Sequence, residues 1–334
     1  MSGTNLIRKA AADFAVATLA PVSYIPEKTA EYTYDAVKEM TAMGFLKAAN
    51  LEEASIIVEE FAKQNASMAE VVAVANVTAD VLAAYSVDAK GMTGYAVYEE
   101  GVSCGGVIAT EVEGGYTITG KKIAAALGGA ADQYIVIATL GDSLAAFLVE
   151  AADVESEKFD KLGLRSYPTA DLTMENAPAV LISVNGAKVR AEVAAKIDIL
   201  NCFVAAGLAD ACVKASINHA KTRVQFGMPI AKQTAVQYML AEIEIARFNL
   251  LAVGEKALAV ATTGKSCIVE AAAAKKIAEK AVYSAATNAV QIHGGTGYSR
   301  DYPIERYYRE AKTLFTYTEK ADYPEESVLE ALLK

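Results

Sequence analysis

The sequence predicts an α+β chain that is mostly α, in three units. These are a helical N-terminal unit over residues 1–91, a β unit over 92–186, and a C-terminal antiparallel four-helix bundle over 187–334. Two changes of pattern predict it. Apolar residues recur at three- and four-residue steps up to about residue 90, and short β-branched runs bounded by Gly, Asp or Asn then replace them. Long helical patterns return from about Ala187.

In the first unit, NLIRKAAADFAVATLA is an amphipathic helix stopped by Pro21, and TAEYTYDAVKEMTAMGF ends at Gly44-Phe45. The stretch from Leu51 to Tyr85 continues the helical period. In the second, GGYTITGKK alternates beside a Gly-Gly turn and reads as a hairpin, while YIVIATLG, LAAFLVEAA and AVLISV read as strands. In the third, helices are expected over about 190–224, 230–263, 266–292 and 303–318. Short connections at Phe226–Pro229, Thr263-Gly264 and Gly294–Gly297 make them antiparallel neighbours.

Bulk properties narrow the function. The 334 residues are 53% hydrophobic and 22% charged, as in an ordinary globular protein, and exceed what one small core organises. A net charge of -10 argues against nucleic acid, whose phosphates need clustered Lys and Arg. It leaves room for an anionic small ligand held at a local positive site. Cys104, Cys202, Cys212 and Cys267 form no C-x-x-C pair, and His219 and His293 alone give little for a metal. No apolar run suits a signal core or a bilayer span, so a cytoplasmic location is expected.

Two stretches carry the chemistry. In RVQFGMPI (223–230), Arg223 is a permanent cation with a planar fork of donors that matches a pyrophosphate. Phe226, at the bend before Gly227, suits packing on a flat ring. In AVQIHGGTGYSRDYPIERYYREAK (289–312), the Gln291 amide both donates and accepts. Beyond Ile292, Gly294 and Gly295 let backbone N–H groups approach an anion or carbonyl. The plainer alternative is that Arg223 caps a helix C-terminus and the glycines only turn the chain.

With these two motifs in this order, the chain resembles the acyl-CoA dehydrogenase family. GGYTITGKK, KLGLRSYPTADL (161–172), AVKEMTAMGF and ASIIVEEFAKQNAS fit that pattern too, so the resemblance covers nearly the whole chain. It implies the family's fold: a helical N-domain, a middle β-barrel or sandwich domain and a four-helix bundle. It also implies FAD and an acyl-CoA thioester substrate, and assigns Arg223, Phe226, Gly227, Gln291, Ile292, Gly294 and Gly295 to the FAD of a neighbouring subunit. An electron-transferring flavoprotein is the implied electron acceptor. One motif position is off: the family's Gln after the Phe-Gly turn falls on Thr234, with Gln233 one place early.

The other half of the flavin site departs from the family. Where members carry Trp-Ile-Thr over the flavin ring, this chain has Ala124, Ala125 and Ala126. Tyr98 takes a Thr position, and the Gly-Ser-Asp that follows it is missing. Alanine in place of tryptophan would leave room for a bulky acyl group. The family's catalytic Glu position falls on Thr318, which is no base near neutral pH. Glu319 lies one residue, about 100° of helix, away. An alternative base position in some members falls at Ile197-Asp198, making Asp198 a second weak candidate.

What survives would serve a neighbour's flavin, and what is lost would serve this chain's own. The resemblance thus implies a short subunit of a heteromeric α2β2 dehydrogenase, sharing FAD at the interface with a full-length sister that supplies the Glu. The alternatives are a self-sufficient homotetramer with a displaced base, at Glu319 or Asp198, and a flavin-free scaffold of the same fold.

Overall fold

In a computed structural model, the structure describes residues 3–100, 105–316 and 324–333. Five helices come first: α1 (Gly3–Phe14), continued by a π-helical turn over Ala15–Leu19, then α2 (Ile25–Thr29), α3 (Tyr34–Ala42), α4 (Leu51–Ala62) and α5 (Ala66–Ala84). Asn50 and Asn65 cap α4 and α5 by accepting from Glu53 N and Met68 N, so the helical stretch read as continuous from Leu51 breaks at Gln64-Asn65. Among the described residues α5 alone is long and apolar enough to cross a membrane. It is buried along most of its length, as an all-round apolar helix must be in a packed core.

Seven strands follow: β1 (Thr93–Ala96), β2 (Ile108–Val112), β3 (Gly115–Ala126), β4 (Gln133–Leu140), β5 (Ser143–Glu150), β6 (Glu155–Lys158) and β7 (Thr169–Ser183). They form one sheet in the order β1-β3-β2-β4-β5-β7-β6, and β3 also pairs with β7, which closes the sheet into a barrel. The expected hairpin is β2–β3, turning between Val112 and Gly115. The run AVLISV is the end of a single long strand, β7, because β3 and β5 both need a partner over its length. A bulge between Lys122 and Ala125 puts Ala124 at φ 50°.

The C-terminal part holds α6 (Gly186–Thr222), the hairpin β8 (Val224–Gln225) and β9 (Met228–Pro229), α7 (Thr234–Ala261), α8 (Ile268–His293), the single turn α9 (Gly295–Tyr298), α10 (Ile304–Thr313) and α11 (Pro324–Leu332). The three long helices pack on one another, and α10 lies against α8 and α6. Two expected helices differ in length. The second starts at Thr234, because the β8–β9 hairpin and a 3₁₀ turn at Ile230–Lys232 consume the residues before it. The fourth is helical over Ile304–Thr313 and turns at Leu314–Thr316.

Three parts of the chain are tied at Glu27 on α2. Its buried carboxylate accepts from Arg165 N at 2.6 Å and Ser166 N at 3.2 Å, and pairs with Arg309 of α10 at 2.9 Å. Tyr32 adds a second tie: its hydroxyl donates to Thr169 O and accepts from Thr169 N.

Candidate functional site

The two sequence motifs meet at one end of the bundle. Helix α6 ends as Arg223 N donates to His219 O at 2.8 Å, and the chain leaves in an extended conformation. It turns back through β8 and β9, with Val224 opposite Pro229 and Gln225 opposite Met228. The turn residues Phe226 and Gly227 have φ of 53° and 76°. Two positive φ angles fit a tight hairpin turn, and glycine takes the second readily. Phenylalanine rarely adopts the first, and the effect is to carry its ring into solvent, 91% exposed. Arg223 is exposed beside it.

Helix α8 arrives alongside. Ile292 and His293 are buried and anchor its last turn, while Gln291, Gly294 and Gly295 are exposed. Gly294 has φ 58° and ψ −138°, open only to glycine, which redirects the chain into α9. Gly297 packs so closely that a Cβ there would sit 2.7 Å from His293 Cβ and 2.8 Å from Val290 O. The α6 and α8 ends join through their histidines: the His219 and His293 rings stack with centroids 4.3 Å apart, 28° from parallel. Arg223, Phe226, Gly227, Gln291, Gly294 and Gly295 therefore share one solvent-facing edge. Ile292 is packed beneath it.

A second locus gathers Tyr98, Ala124 and Ala126, three of the positions where the chain departs from the family pattern. Tyr98, Ala124, Ala126, Ile197, Thr313 and Leu314 line one cavity between α5, β1, β3, α6 and α10. Its volume is about 50 Å³. Pockets that hold drug-sized ligands run to roughly 300–1,000 Å³, so this one is far too small for a flavin ring system. Tyr167, Lys161 and Glu70 complete the wall.

This cavity holds charge that the motifs do not announce. Burial raises the Glu70 carboxyl to about 8, with Lys161 opposing and Asp198 adding to the rise. Burial also lowers the Lys161 amine to about 7, against the pull of Glu27 and Glu70. The amine donates to Tyr167 O at 2.7 Å and to Thr169 Oγ1, and lies 4.6 Å from the Tyr167 ring centroid. Burial holds the Tyr167 phenol well above its usual range. A lone carboxylate inside the apolar run ASMAEVVAVANV was the readable signal for Glu70.

Asp198, one of the weak base candidates, does not line this cavity. Asp198 is buried and paired with Lys275 at 3.2 Å, whereas its neighbour Ile197 faces the cavity. Thr318 and Glu319 lie outside the described residues, as do 101–104 in the stretch after Tyr98. Glu99, which opens that stretch, is held by Lys122, Gly105 N and Gly106 N.

Comparison with known proteins points one way. A model of the acyl-CoA dehydrogenase C-terminal domain matches residues 190–318. An acyl-CoA dehydrogenase of Bacillus subtilis is 29% identical over 93% of each chain. A short-chain-specific acyl-CoA dehydrogenase of Megasphaera elsdenii is 34% identical over 61% of this chain and 57% of its own length. The solved structure of butyryl-CoA dehydrogenase from Megasphaera elsdenii superposes with a TM-score of 0.94 at 25% identity, covering 100% of this chain and 99% of that one. The bundle sequence, the alignment along the whole chain and the three-part fold thus agree, and the chain belongs to the acyl-CoA dehydrogenase family of FAD-dependent oxidoreductases acting on CH–CH bonds.

Proposed function

We propose that this chain is the short, non-catalytic subunit of a heteromeric acyl-CoA dehydrogenase, and that it completes an FAD site whose reactive half belongs to a full-length sister subunit. One observation carries the reading. Among the described residues, Tyr98, Ala124, Ala126 and Ile197, at positions expected to serve this chain's own flavin ring and substrate, line a cavity of about 50 Å³. The residues expected to reach a neighbour's FAD lie together on an open edge.

The open edge fits a dinucleotide. Arg223 offers two parallel N–H donors to a pyrophosphate, where a charge-assisted pair is roughly twice as strong as a neutral one. Around Gly294 and Gly295 an added Cβ would meet nothing within 4 Å, so the backbone there is open to close approach. The exposed Phe226 ring offers an apolar face to a flat heterocycle. Bound FAD would supply the hydride acceptor; this chain would hold it, orient it and shield one side from water. The proton at the substrate's α-carbon would go to the sister's glutamate, and electrons would leave through an electron-transferring flavoprotein.

Exposed apolar side chains on the bundle favour a partner there. Tyr238, Ile245 and Phe248 recur along α7 at 69%, 59% and 68% exposure, and Tyr298 of α9 is 86% exposed. Such a stripe is costly to leave in water.

Coexpression with a full-length sister tests the reading. The expected product is an α2β2 complex with one FAD per heterodimer, active on an acyl-CoA with a dye acceptor. Arg223→Ala should weaken its FAD retention by about ten- to a hundredfold, the worth of a hydrogen bond to a charged group. A homomer of this chain that turns over acyl-CoA with one FAD per subunit would overturn the proposal and favour the self-sufficient dehydrogenase.

A further inference from the structure

The chain has two histidines, and they are stacked on each other. His219 lies one helical turn before Arg223, and His293 directly precedes Gly294. The stack is therefore the seam between the two motifs. Four contacts fix its geometry on the α8 side. His293 Nδ1 is 2.8 Å from Ala289 O, and because a carbonyl only accepts, that nitrogen carries the proton. The His293 carbonyl accepts from Thr296 Oγ1 at 2.7 Å, Gly297 N donates to Gly294 O at 3.0 Å, and Gly297 packs on His293 Cβ. The turn over 294–297 is thus built on His293, and His293 is built on His219.

We propose that His219 and His293 are positioning residues: stacked and neutral, they pin the 294–297 turn to the end of α6 beside Arg223, and protonation in mild acid releases the turn and the dinucleotide it helps to hold. The release of dinucleotide rests on the half-site reading above; the pin itself does not.

The charges argue for the sign. A proton added to His293 must go to Nε2, which makes a cation of a ring 4.3 Å from its neighbour. Arg223 on α6 is the charge acting on His219, and His219 in turn acts on His293 across the helix pair. On the α8 side the Ala289 carbonyl is a neutral partner that favours protonation of His293, though less than burial opposes it. Burial comes first for both rings, and both are held below the ordinary histidine range near 6.5. With folded values depressed, the unfolded chain binds more protons. The stack's contribution is therefore full above about pH 6.5 and lost as pH falls through the lowered values.

The test uses the whole chain and the sister complex. With two imidazoles, the NMR titration of the free chain is assigned by one variant, His219→Phe. Both wild-type rings should titrate below about 6.5, and in His219→Phe the His293 midpoint should rise as its neighbouring charge disappears. Hydrogen-exchange protection at Gly294 and Gly297 in the wild-type chain should fall at least about tenfold from about pH 7.5 to 5.5. The double variant His219→Phe/His293→Phe, stacked but unable to titrate, should show no such fall. FAD retention by the complex should follow the same two patterns. If the double variant fails to fold, His219→Phe, in which His293 alone still titrates, should move the loss of protection up to the raised His293 midpoint. Equal pH dependence of protection in wild type and variant, or two independent titrations near 6.5, overturns the pin. A complex that binds no FAD even at about pH 7.5, while turn protection still follows the histidines, overturns the half-site reading and leaves the pin standing.

Discussion

At the scale of single residues, Glu70 makes the sharpest claim. It sits on α5, fully surrounded, with Oε1 free of any hydrogen bond, and faces a cavity whose amine comes from Lys161. Burial lifts its carboxyl from 4.5 to about 8. A raised folded value means that the folded chain holds this proton more tightly than the unfolded one. Stability from this group is full below about pH 4.5 and is lost as pH rises through 8. Lys161 runs the other way: lowered from 10.5 to about 7, it disfavours the fold below that value and stops doing so as pH rises through 10.5. Replacing Glu70 by Gln keeps the shape and removes the titration. The variant's unfolding free energy, from denaturant titrations followed by circular dichroism, should gain on wild type between about pH 5 and 8, by up to about 1.4 kcal/mol per pH unit. A difference that stays constant across that range would mean that the carboxyl does not titrate there. The carboxylate itself was visible in the sequence as a charge in an apolar helix. Its counterpart was not, since Lys161 reaches the same cavity from a loop far along the chain.

Among the elements, the two glycines at the start of α9 separate folding from function. Gly294 has φ 58° and ψ −138°, and any side chain there strains the backbone by roughly 1–3 kcal/mol. Gly295 adopts no such angle, and a Cβ on it meets nothing within 4 Å. Gly294→Ala should therefore lower the melting midpoint of the free chain, while Gly295→Ala should leave it within a degree or so. In the complex with the sister subunit, Gly295→Ala should still weaken FAD binding, read by equilibrium dialysis, because its methyl group intrudes where the dinucleotide's backbone contact is expected. Unchanged FAD affinity in Gly295→Ala would remove this glycine from the site. Element types were largely legible in the sequence, since helical and strand periods differ and Pro21 and Gly294 mark boundaries by known chemistry. Lengths were less so. The break at Gln64-Asn65 and the single span of β7 depend on partners: capping by Asn65 in one case, pairing with β3 and β5 in the other. The motif residues were legible too, but their junction was not. Nothing in the spacing of His219 and His293 announces that they stack.

For the whole molecule, the question is whether the helical start, the barrel and the bundle hold together as one cooperative body. Glu27 is where the answer can be measured. Its carboxylate, 2% exposed, accepts from two backbone N–H groups of the 161–169 loop and pairs with Arg309, which also pairs with Glu305 at 2.8 Å. Nearby, Arg306 donates to Ser23 O at 2.7 Å and so binds α10 to the same N-terminal segment. Glu27→Ala strands two buried donors and takes one carboxylate from Arg309. Removing one partner from a buried charge network costs about 3–5 kcal/mol. In a chain of 334 residues that corresponds to a drop in melting midpoint of roughly 5 °C. Glu305→Ala is the comparison: Glu27 still pairs with Arg309 and no backbone donor is lost, so its effect should be clearly smaller. The shape of the transition matters as much as its position. If the three parts form one cooperative body, wild type and variant each melt in one step by far-ultraviolet dichroism and by tyrosine fluorescence, with the midpoint lowered in the variant. A low-temperature step appearing only in Glu27→Ala would show that the N-terminal helices can melt away from the rest. The cavity beside Lys161 would then open to water first, because its Glu70 wall belongs to those helices.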